Sequence, residues 1–412
     1  MTTDVFPLIK ERGFLQQLSH PEEIAQLFAK ESVTCYVGID PTADSLHIGH
    51  LLPLMLMKHL QSAGHRPLIV VGGGTVMVGD PSGKTEMRSL IGVETIEENK
   101  RGLRKQLGKL LDFSEGKAEL LDNADWLMPL NYISFLREVG SQFSVNRMLQ
   151  ADCYKTRLDR PDGGLSFIEL NYMTMQSFDF LHLYREFGCK VQIGGDDQWS
   201  NILSGADLIR RLDRGEGHAL TVPLIVTSDG RKMGKTEAGA VWLDPDRTSP
   251  YEFFQYWRNV NDNDVERFLK FYTMLSIEQI NKTLASNENI NEVKKVLAFE
   301  VTKMIHGEEE AKKAADAAAA LFSGGGDISA MPATDIEAVK LSEGFSIIDA
   351  LVLTGLCKTR SDARRLIQQG GISVNDLKVS SIDHMLFAHD FQDGRIIIKK
   401  GKKDFHALTL GN

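Results

Sequence analysis

Residues 33–51 read VTCYVGIDPTADSLHIGHL, and this stretch decides the fold class. Its first seven residues are mostly β-branched, aromatic or apolar, the signature of a short buried strand. From residue 47 onward, HIGHLLPLMLMKHLQ spaces apolar side chains as a helix does. Pro53 in this run fits near a first helical turn, which ties the helix start to the HIGH sequence. A strand feeding straight into a helix is the first half of a parallel β–α–β unit. The pattern extends outward: PLIVVGG (67–73), KVQIGG (190–195) and LTVPLIV (220–226) read as further buried strands. Segments 47–63, 94–112, 166–187 and 197–213 read as helices. This alternation predicts an α/β, doubly wound, mostly parallel sheet, with ligands at the carboxyl ends of its strands.

After residue 250 the strand runs stop and helix-period segments follow, ending in HGEEEAKKAADAAAALF (306–322). SGGGD (323–327) reads as a helix stop and linker. The last stretch opens with a helical run, SIIDALVLTGLCKTRSDARRLIQQGG, and continues with strand-like ISVNDLKV and RIIIKKGKKDFHALTL.

Composition narrows the class. The chain has 412 residues, 42% hydrophobic and 25% charged, which suits two or three globular domains. Lys+Arg 47 against Asp+Glu 56 gives a net charge of −9, which excludes indiscriminate coating of nucleic acid. The charge is unevenly placed. Residues 345–412 hold ten Lys and Arg against seven Asp, a surplus of three, so residues 1–344 carry −12. A small basic module on an acidic body suits phosphate-backbone contacts, although an ordinary charged surface has the same count. Cys35, Cys153, Cys189 and Cys357 stand far apart in sequence, so no local zinc or redox pair forms, and a reducing cytoplasm is expected. The N-terminal MTTDVFPLIKERG lacks an apolar core, and no run approaches the ~18 apolar residues of a membrane span.

Three loops follow strands and hold chemistry-bearing residues. In PTADSLHIGHL (41–51), His47 and His50 share one face of a helix start, where backbone N–H groups and the helix dipole favour an anion. Gly49 leaves room for close approach between them. In GGGTVMVGDPSGKTEMR (72–88), a phosphate-loop reading fails because Val78 stands where glycine is required. The loop still brings Asp80, Lys84 and Arg88 toward a charged ligand. In KMGKT (232–236), Lys232, Lys235 and Thr236 sit on a glycine-containing loop able to close on phosphates. Each has a plain counterpart: surface histidines, a mobile polar loop, a solvated lysine face. Together, each after a strand of one sheet, they are far more specific. Tyr172, Gln176 and Asp179 are spaced i, i+4, i+7, so one helix face can present all three. An exposed polar stripe is the alternative, but Met173, Met175 and Phe178 indicate burial, and a buried Asp or Gln demands partners.

HIGH together with KMGKT resembles the class I aminoacyl-tRNA synthetases. YVGIDPTADSLHIGH, GDPSGK, NYMTMQSFDF, QIGGDDQWSN and KMGKTEAGAVWLDP resemble the bacterial tyrosyl-tRNA synthetases, over essentially the whole chain. RSDARRLIQQGGISVND resembles an S4-type RNA-binding domain. The resemblance implies a Rossmann-like catalytic domain over 1–228 and the KMGKT loop with an all-α, anticodon-side domain over 229–322. A linker over 323–342 and a small α+β S4-like domain over 343–412 complete the expected order. It implies ATP, with Mg²⁺ held mainly by its phosphates, as substrate for activation of L-tyrosine, then transfer to tRNA(Tyr). It implies no prosthetic group, no protein-held metal, no membrane partner, a cytoplasmic homodimer and no editing domain.

By resemblance, Tyr36 and Asp179 would bond the phenol hydroxyl. Tyr172, Gln176 and Asp80 would hold the substrate ammonium, with Gln192 and Gln198 nearby. Gly195 and Asp197 would meet the ribose, and Thr42, His47 and His50 the ATP phosphates. Lys84, Arg88, Lys232, Lys235 and Thr236 would close around pyrophosphate. Three departures stand out: KMGKT has Gly234 for a usual serine, Asp196 replaces a common serine beside the expected ribose site, and Ser177-Phe178 replaces a more usual pair. Two rival readings are a tryptophanyl-type synthetase and an inactive RNA-binding paralogue.

Overall fold

A computed structural model describes the chain except residues 1–2, 83–90, 159–163, 227, 229–232, 234, 237–238, 288, 324–331, 338–340, 342–343, 376, 393, 402–403 and 412. Six strands form the main sheet: β1 (Gln17–Leu18), β2 (Thr34–Ile39), β3 (Arg66–Val71), β4 (Glu119–Asp122), β5 (Cys189–Gly195) and β6 (His218–Val222), in the order β1-β6-β5-β2-β3-β4. All pairs are parallel except β1 with β6. The expected doubly wound sheet is therefore present. The chain runs outward from β2 to β4, then returns to build β5 and β6 on the other side. Strand order reverses between β2 and β5, and such a switch point opens a crevice at the carboxyl ends of the two strands.

Alternation along β2 sends neighbours to opposite faces. Cys35 meets Met57 of the Ile48–Ser62 helix, sulfur to sulfur at 3.8 Å. Tyr36 packs its ring 5.5 Å from that of Phe180, on the Phe167–Phe187 helix. Helices thus cover both faces. The Trp199–Leu212 helix lies against Phe167–Phe187, and a Cβ on Gly205 would stand 3.1 Å from Phe180, so glycine permits that close approach.

Several details depart from the sequence reading. The strand expected over 220–226 ends at Val222, because Pro223 has no N–H for the ladder. Pro53 lies in the second turn of its helix, not the first. It removes the amide that would bond the Gly49 carbonyl, but Gly49 is exposed, so solvent can serve instead. Strands β1 and β4 are two and four residues long, too short to show a period.

The chain divides into two compact units, Met1–Arg247 with Asn261–Ile290, and Thr248–Val260 with Asn291–Asn412. In the first, the hairpin β7 (Lys235–Thr236) and β8 (Gly239–Ala240) follows the main sheet. In the second, helix Pro250–Arg258 packs on Glu308–Ser323, where Arg258 Nη1 donates to the Ala318 carbonyl at 3.2 Å. Its sheet contains β9 (Ala333–Ile336), β11 (Ile372–Val374), β12 (Leu377–Lys378), β14 (Arg395–Lys400) and β15 (Asp404–Leu410), ordered β12-β11-β14-β15-β9. A separate pair joins β10 (Phe345–Ser346) to β13 (Met385–Leu386). Ile347, Leu351, Ile367, Ile396 and Ile398 form its core. Strand β9 falls inside the stretch expected as linker. Its four residues, ATDI, alternate too briefly to be read, and parallel pairing with β15 holds them.

Candidate active site

The HIGH segment follows β2 after the intervening stretch 40–46. His47 is the N-cap of its helix, and its Nδ1 accepts from the Gly49 N–H at 3.0 Å. His50 Nδ1 accepts from the His47 N–H at 3.2 Å, and the two rings stack at 3.9 Å. With Nδ1 accepting in both, each neutral ring has its proton on Nε2, an assignment made from the bonding pattern. A Cβ on Gly49 would stand 2.8 Å from Cε1 of His47, so this stacked cap requires glycine.

Backbone bonds join this segment to the exit of the KMGKT hairpin. The Ile48 N–H donates to the Val241 carbonyl at 3.1 Å, and the Leu243 N–H to the Leu46 carbonyl at 2.8 Å. The Trp242 ring stands edge-on to His47 at 5.9 Å, with the Arg247 guanidinium 3.8 Å over it. Met233, inside KMGKT, is buried and accepts from the Tyr272 hydroxyl at 3.4 Å. The two motifs, remote in sequence, are neighbours in the fold. Lys84, Arg88 and Lys232 lie outside the described residues. For Lys235 and Thr236 the described feature is their backbone, in β7.

A polar network joins the carboxyl ends of β2, β3 and β4 to the Phe167–Phe187 helix. The Tyr172 hydroxyl donates to Asp40 Oδ2 at 3.1 Å, and Thr75 Oγ1 to Asp40 Oδ1 at 2.8 Å. Asn123 Nδ2 donates to Thr75 Oγ1 at 3.0 Å and to Asp179 Oδ2 at 2.9 Å. Trp126 Nε1 donates to Asp179 Oδ1 at 2.7 Å. Beside this network, the Tyr36 hydroxyl and the Oε1 atoms of Gln176 and Gln192 are buried with no hydrogen-bond partner. Tyr36 and Gln192 are aligned neighbours on β2 and β5. Buried polar atoms without partners are costly, so three of them, on β2, β5 and the Phe167–Phe187 helix, mark a place built for a polar ligand.

A second cluster lies at the start of the next helix. Gln198 Nε2 donates to Asp80 Oδ2 at 2.8 Å, and Asn201 Nδ2 to Gln198 Oε1 at 3.1 Å. Gly195 ends β5, and a Cβ there would lie 2.7 Å from Asp197 Oδ1. Thr42 is exposed in the turn after β2, its N–H donating to the Asp40 carbonyl at 2.8 Å. Asp196 Oδ1 accepts from Gln17 Nε2 at 2.7 Å and Thr221 Oγ1 at 2.9 Å, so this unusual acid fastens β1 to the sheet edge.

Burial dominates the electrostatics. It pushes the Asp179 carboxyl up to about 7, against the bonds from Asn123 and Trp126 that favour its ionised form; the charge of Asp40 adds to the rise. Burial raises the Tyr36 phenol well above its ordinary value, and the charge of Asp179 reinforces this. Tyr36 therefore remains a donor at neutral pH.

The model of the family described as tRNA synthetases class I (W and Y) matches residues 29–323. The chain belongs to this family. A second model, a SYY-like C-terminal domain of tyrosine–tRNA ligase, matches residues 327–408. The chain is 55% identical to the tyrosine–tRNA ligase of Acetivibrio thermocellus, over 99% of this chain and 100% of that one. It is 53% identical to the tyrosine–tRNA ligase of Clostridium tetani, over 100% of both. Among solved structures it resembles a C-terminally truncated mitochondrial tyrosyl-tRNA synthetase from Aspergillus nidulans, with TM-score 0.70 and 29% identity, covering 78% of this chain and 94% of that one.

In this synthetase, sequence reading missed Asp40, Thr75, Asn123 and Trp126. Asp40 lies in the stretch that leads from β2 into HIGH. Asn123 and Trp126 bear no motif; their signal is indirect, because a buried Asp179 requires donors from somewhere.

Proposed function

We infer that this chain is a tyrosine–tRNA ligase. It activates L-tyrosine with ATP to tyrosyl-adenylate and pyrophosphate, then transfers tyrosine to the 3′ end of tRNA(Tyr). The observation that carries this reading in the geometry is the buried Asp179 carboxylate beside the partnerless Tyr36 hydroxyl, at the switch point of the sheet. The full-length relatives named tyrosine–tRNA ligases favour it over the tryptophanyl-type alternative.

In activation, a tyrosine carboxylate oxygen bonds to the α-phosphorus while the bond to the bridging oxygen of pyrophosphate breaks. The nucleophile is already anionic, so the protein contributes position and charge stabilisation instead of a base. Tyr36 donates to the phenol oxygen, and Asp179 accepts a hydrogen bond from the phenol O–H. Tyr172, Gln176 and Asp80 hold the ammonium, with Gln192 and Gln198 completing the wall. Gly195 and Asp197 meet the ribose. Thr42, His47 and His50 contact phosphate, the histidines through Nε2–H. Lys84, Arg88, Lys232, Lys235 and Thr236 draw around the departing pyrophosphate. Mg²⁺ arrives with ATP, ligated by its phosphates. Lys235→Ala is expected to slow adenylate formation far more than it weakens tyrosine binding; equal loss in pre-steady-state activation and equilibrium binding contradicts its role.

The C-terminal module is read as the S4-like part of the tRNA surface. Lys358, Arg360, Arg364, Arg365 and Lys378 are exposed there, on and beside the Arg360–Gln368 helix. Because β9 pairs with β15, a clean truncation begins before Ala333. Deleting 332–412 is expected to spare tyrosine-dependent ATP–pyrophosphate exchange and abolish charging of tRNA. Loss of exchange as well assigns this module a structural role instead.

We read the enzyme as a cytoplasmic homodimer. Among the described residues, eight of the seventeen exposed large apolar side chains fall between 128 and 168, including Met128, Ile133, Val145 and Phe167, a concentration suited to self-association. No helix among the described residues is long and apolar enough to cross a membrane.

A further inference from the structure

We propose that His20, Glu23 and His218 form a binding site for a divalent transition-metal cation of the Zn²⁺ type, separate from the adenylate crevice. One ligand atom from each of these residues lies within 4.8 Å of the others. His218 is the first residue of β6, at the end of the strand opposite the crevice. It is only 4% exposed, and its buried Nδ1 has no hydrogen-bond partner. That nitrogen points toward Glu23, whose Oε2 stands 4.0 Å away, beyond hydrogen-bond length. The His20 ring lies edge-on to it at 5.8 Å.

A buried imidazole nitrogen without a partner is expensive. A cation between His218 and Glu23 removes that cost. Glu23 and Glu216 add negative charge around His218, while His20 and Lys190 oppose.

The other two ligands come from the start of the Pro21–Lys30 helix. His20 is its N-cap and Glu23 lies one turn on, so the two share a face. Both are exposed. Their side chains can therefore swing inward to the ligand spacing of about 3.3–3.5 Å that a tetrahedral ion with bonds of about 2.0–2.2 Å requires. Two imidazoles and one carboxylate suit Zn²⁺, with water completing the shell from the solvent side. The bound ion ties the N-terminal helix to the edge of the catalytic sheet.

The test uses metal-stripped, full-length protein without ATP, titrated with Zn²⁺ alone against a chromogenic chelator, with melting temperature followed in parallel. Wild type is expected to take up one Zn²⁺ more than His20→Ala or Glu23→Gln, or to bind it more than about 100-fold tighter, because losing a direct ligand costs more than the 10–100-fold of an outer-shell change. Zn²⁺ is expected to raise the melting temperature of wild type and to leave both variants unchanged. These positions are exposed, so the variants fold. Equal stoichiometry and affinity in all three proteins, or no uptake by wild type at millimolar Zn²⁺, overturns the site.

Discussion

Asp179→Asn is expected to lower kcat/KM for tyrosine about 10- to 100-fold, from the roughly 1.5–3 kcal/mol of a hydrogen bond to a charged group. It is expected to cut discrimination against phenylalanine by about the same 10- to 100-fold, because phenylalanine never made that bond. Sites built to bond a substrate hydroxyl reject the analogue lacking it by about 10⁴–10⁵, a range for which tyrosyl-tRNA synthetases are themselves the standard case. The substitution is nearly isosteric but chemically opposed. Both oxygens of Asp179 accept N–H donors, from Asn123 and Trp126, so an amide must turn its own NH₂ toward one of them.

The same carboxyl sets a pH dependence. Held at about 7 when folded, it keeps a proton that the unfolded chain releases near about 4. Between those values the native state binds more protons, so Asp179 subtracts stability as pH rises and levels off above about 7. Wild type should lose about 2–3 kcal/mol from this group between pH 5 and 8. Asp179→Asn should therefore gain on wild type by that order over the same window. Activation of tyrosine should fall as pH drops below about 7 in wild type, levelling off at about the 10- to 100-fold loss expected of Asp179→Asn, and stay flat in the variant. Identical pH profiles for stability and activation in the two proteins contradict the assignment.

Arg157→Met is expected to destabilise the protein by about 3–5 kcal/mol, a large part of the ~5–15 kcal/mol total of a typical domain. Arg157 and Glu169 form an ion pair with both side chains almost wholly buried. Glu169 also closes a capping box: its Oε2 accepts from the Ser166 N–H at 3.1 Å, while Ser166 Oγ accepts from the Glu169 N–H at 3.3 Å. This lock sits at the start of the helix that bears Tyr172, Gln176 and Asp179. Removing the arginine leaves a buried carboxylate uncompensated. Adding Glu169→Gln should restore part of the loss, since the stranded charge is then gone. The check is the midpoint of the first urea transition; a single variant within about 0.5 kcal/mol of wild type refutes a structural role for the pair.

Much of this architecture was legible in the sequence, and the legible parts share a cause. Strands β2, β3 and β5 are buried on both faces, so their apolar runs stand out. The HIGH and KMGKT segments follow such strands, so loop chemistry and sheet topology agreed. What stayed hidden depends on long-range pairing. Strands β1, β4 and β9 are held by neighbours distant in sequence, not by their own patterns. The donors Asn123 and Trp126 sit 56 and 53 residues from Asp179 and touch it only because β4 ends beside β3. Asp196 read as a charge beside the ribose because Gln17 and Thr221 could not be placed next to it. His218 and the His20–Glu23 turn meet through the same antiparallel edge.

The most direct test of the account is ATP–pyrophosphate exchange by the wild-type enzyme with tyrosine, phenylalanine and tryptophan supplied separately. Tyrosine alone should support rapid exchange, with phenylalanine orders of magnitude slower and tryptophan inert. Exchange driven by tryptophan, or equally by phenylalanine and tyrosine, would contradict a pocket in which Tyr36 and Asp179 read the phenol hydroxyl.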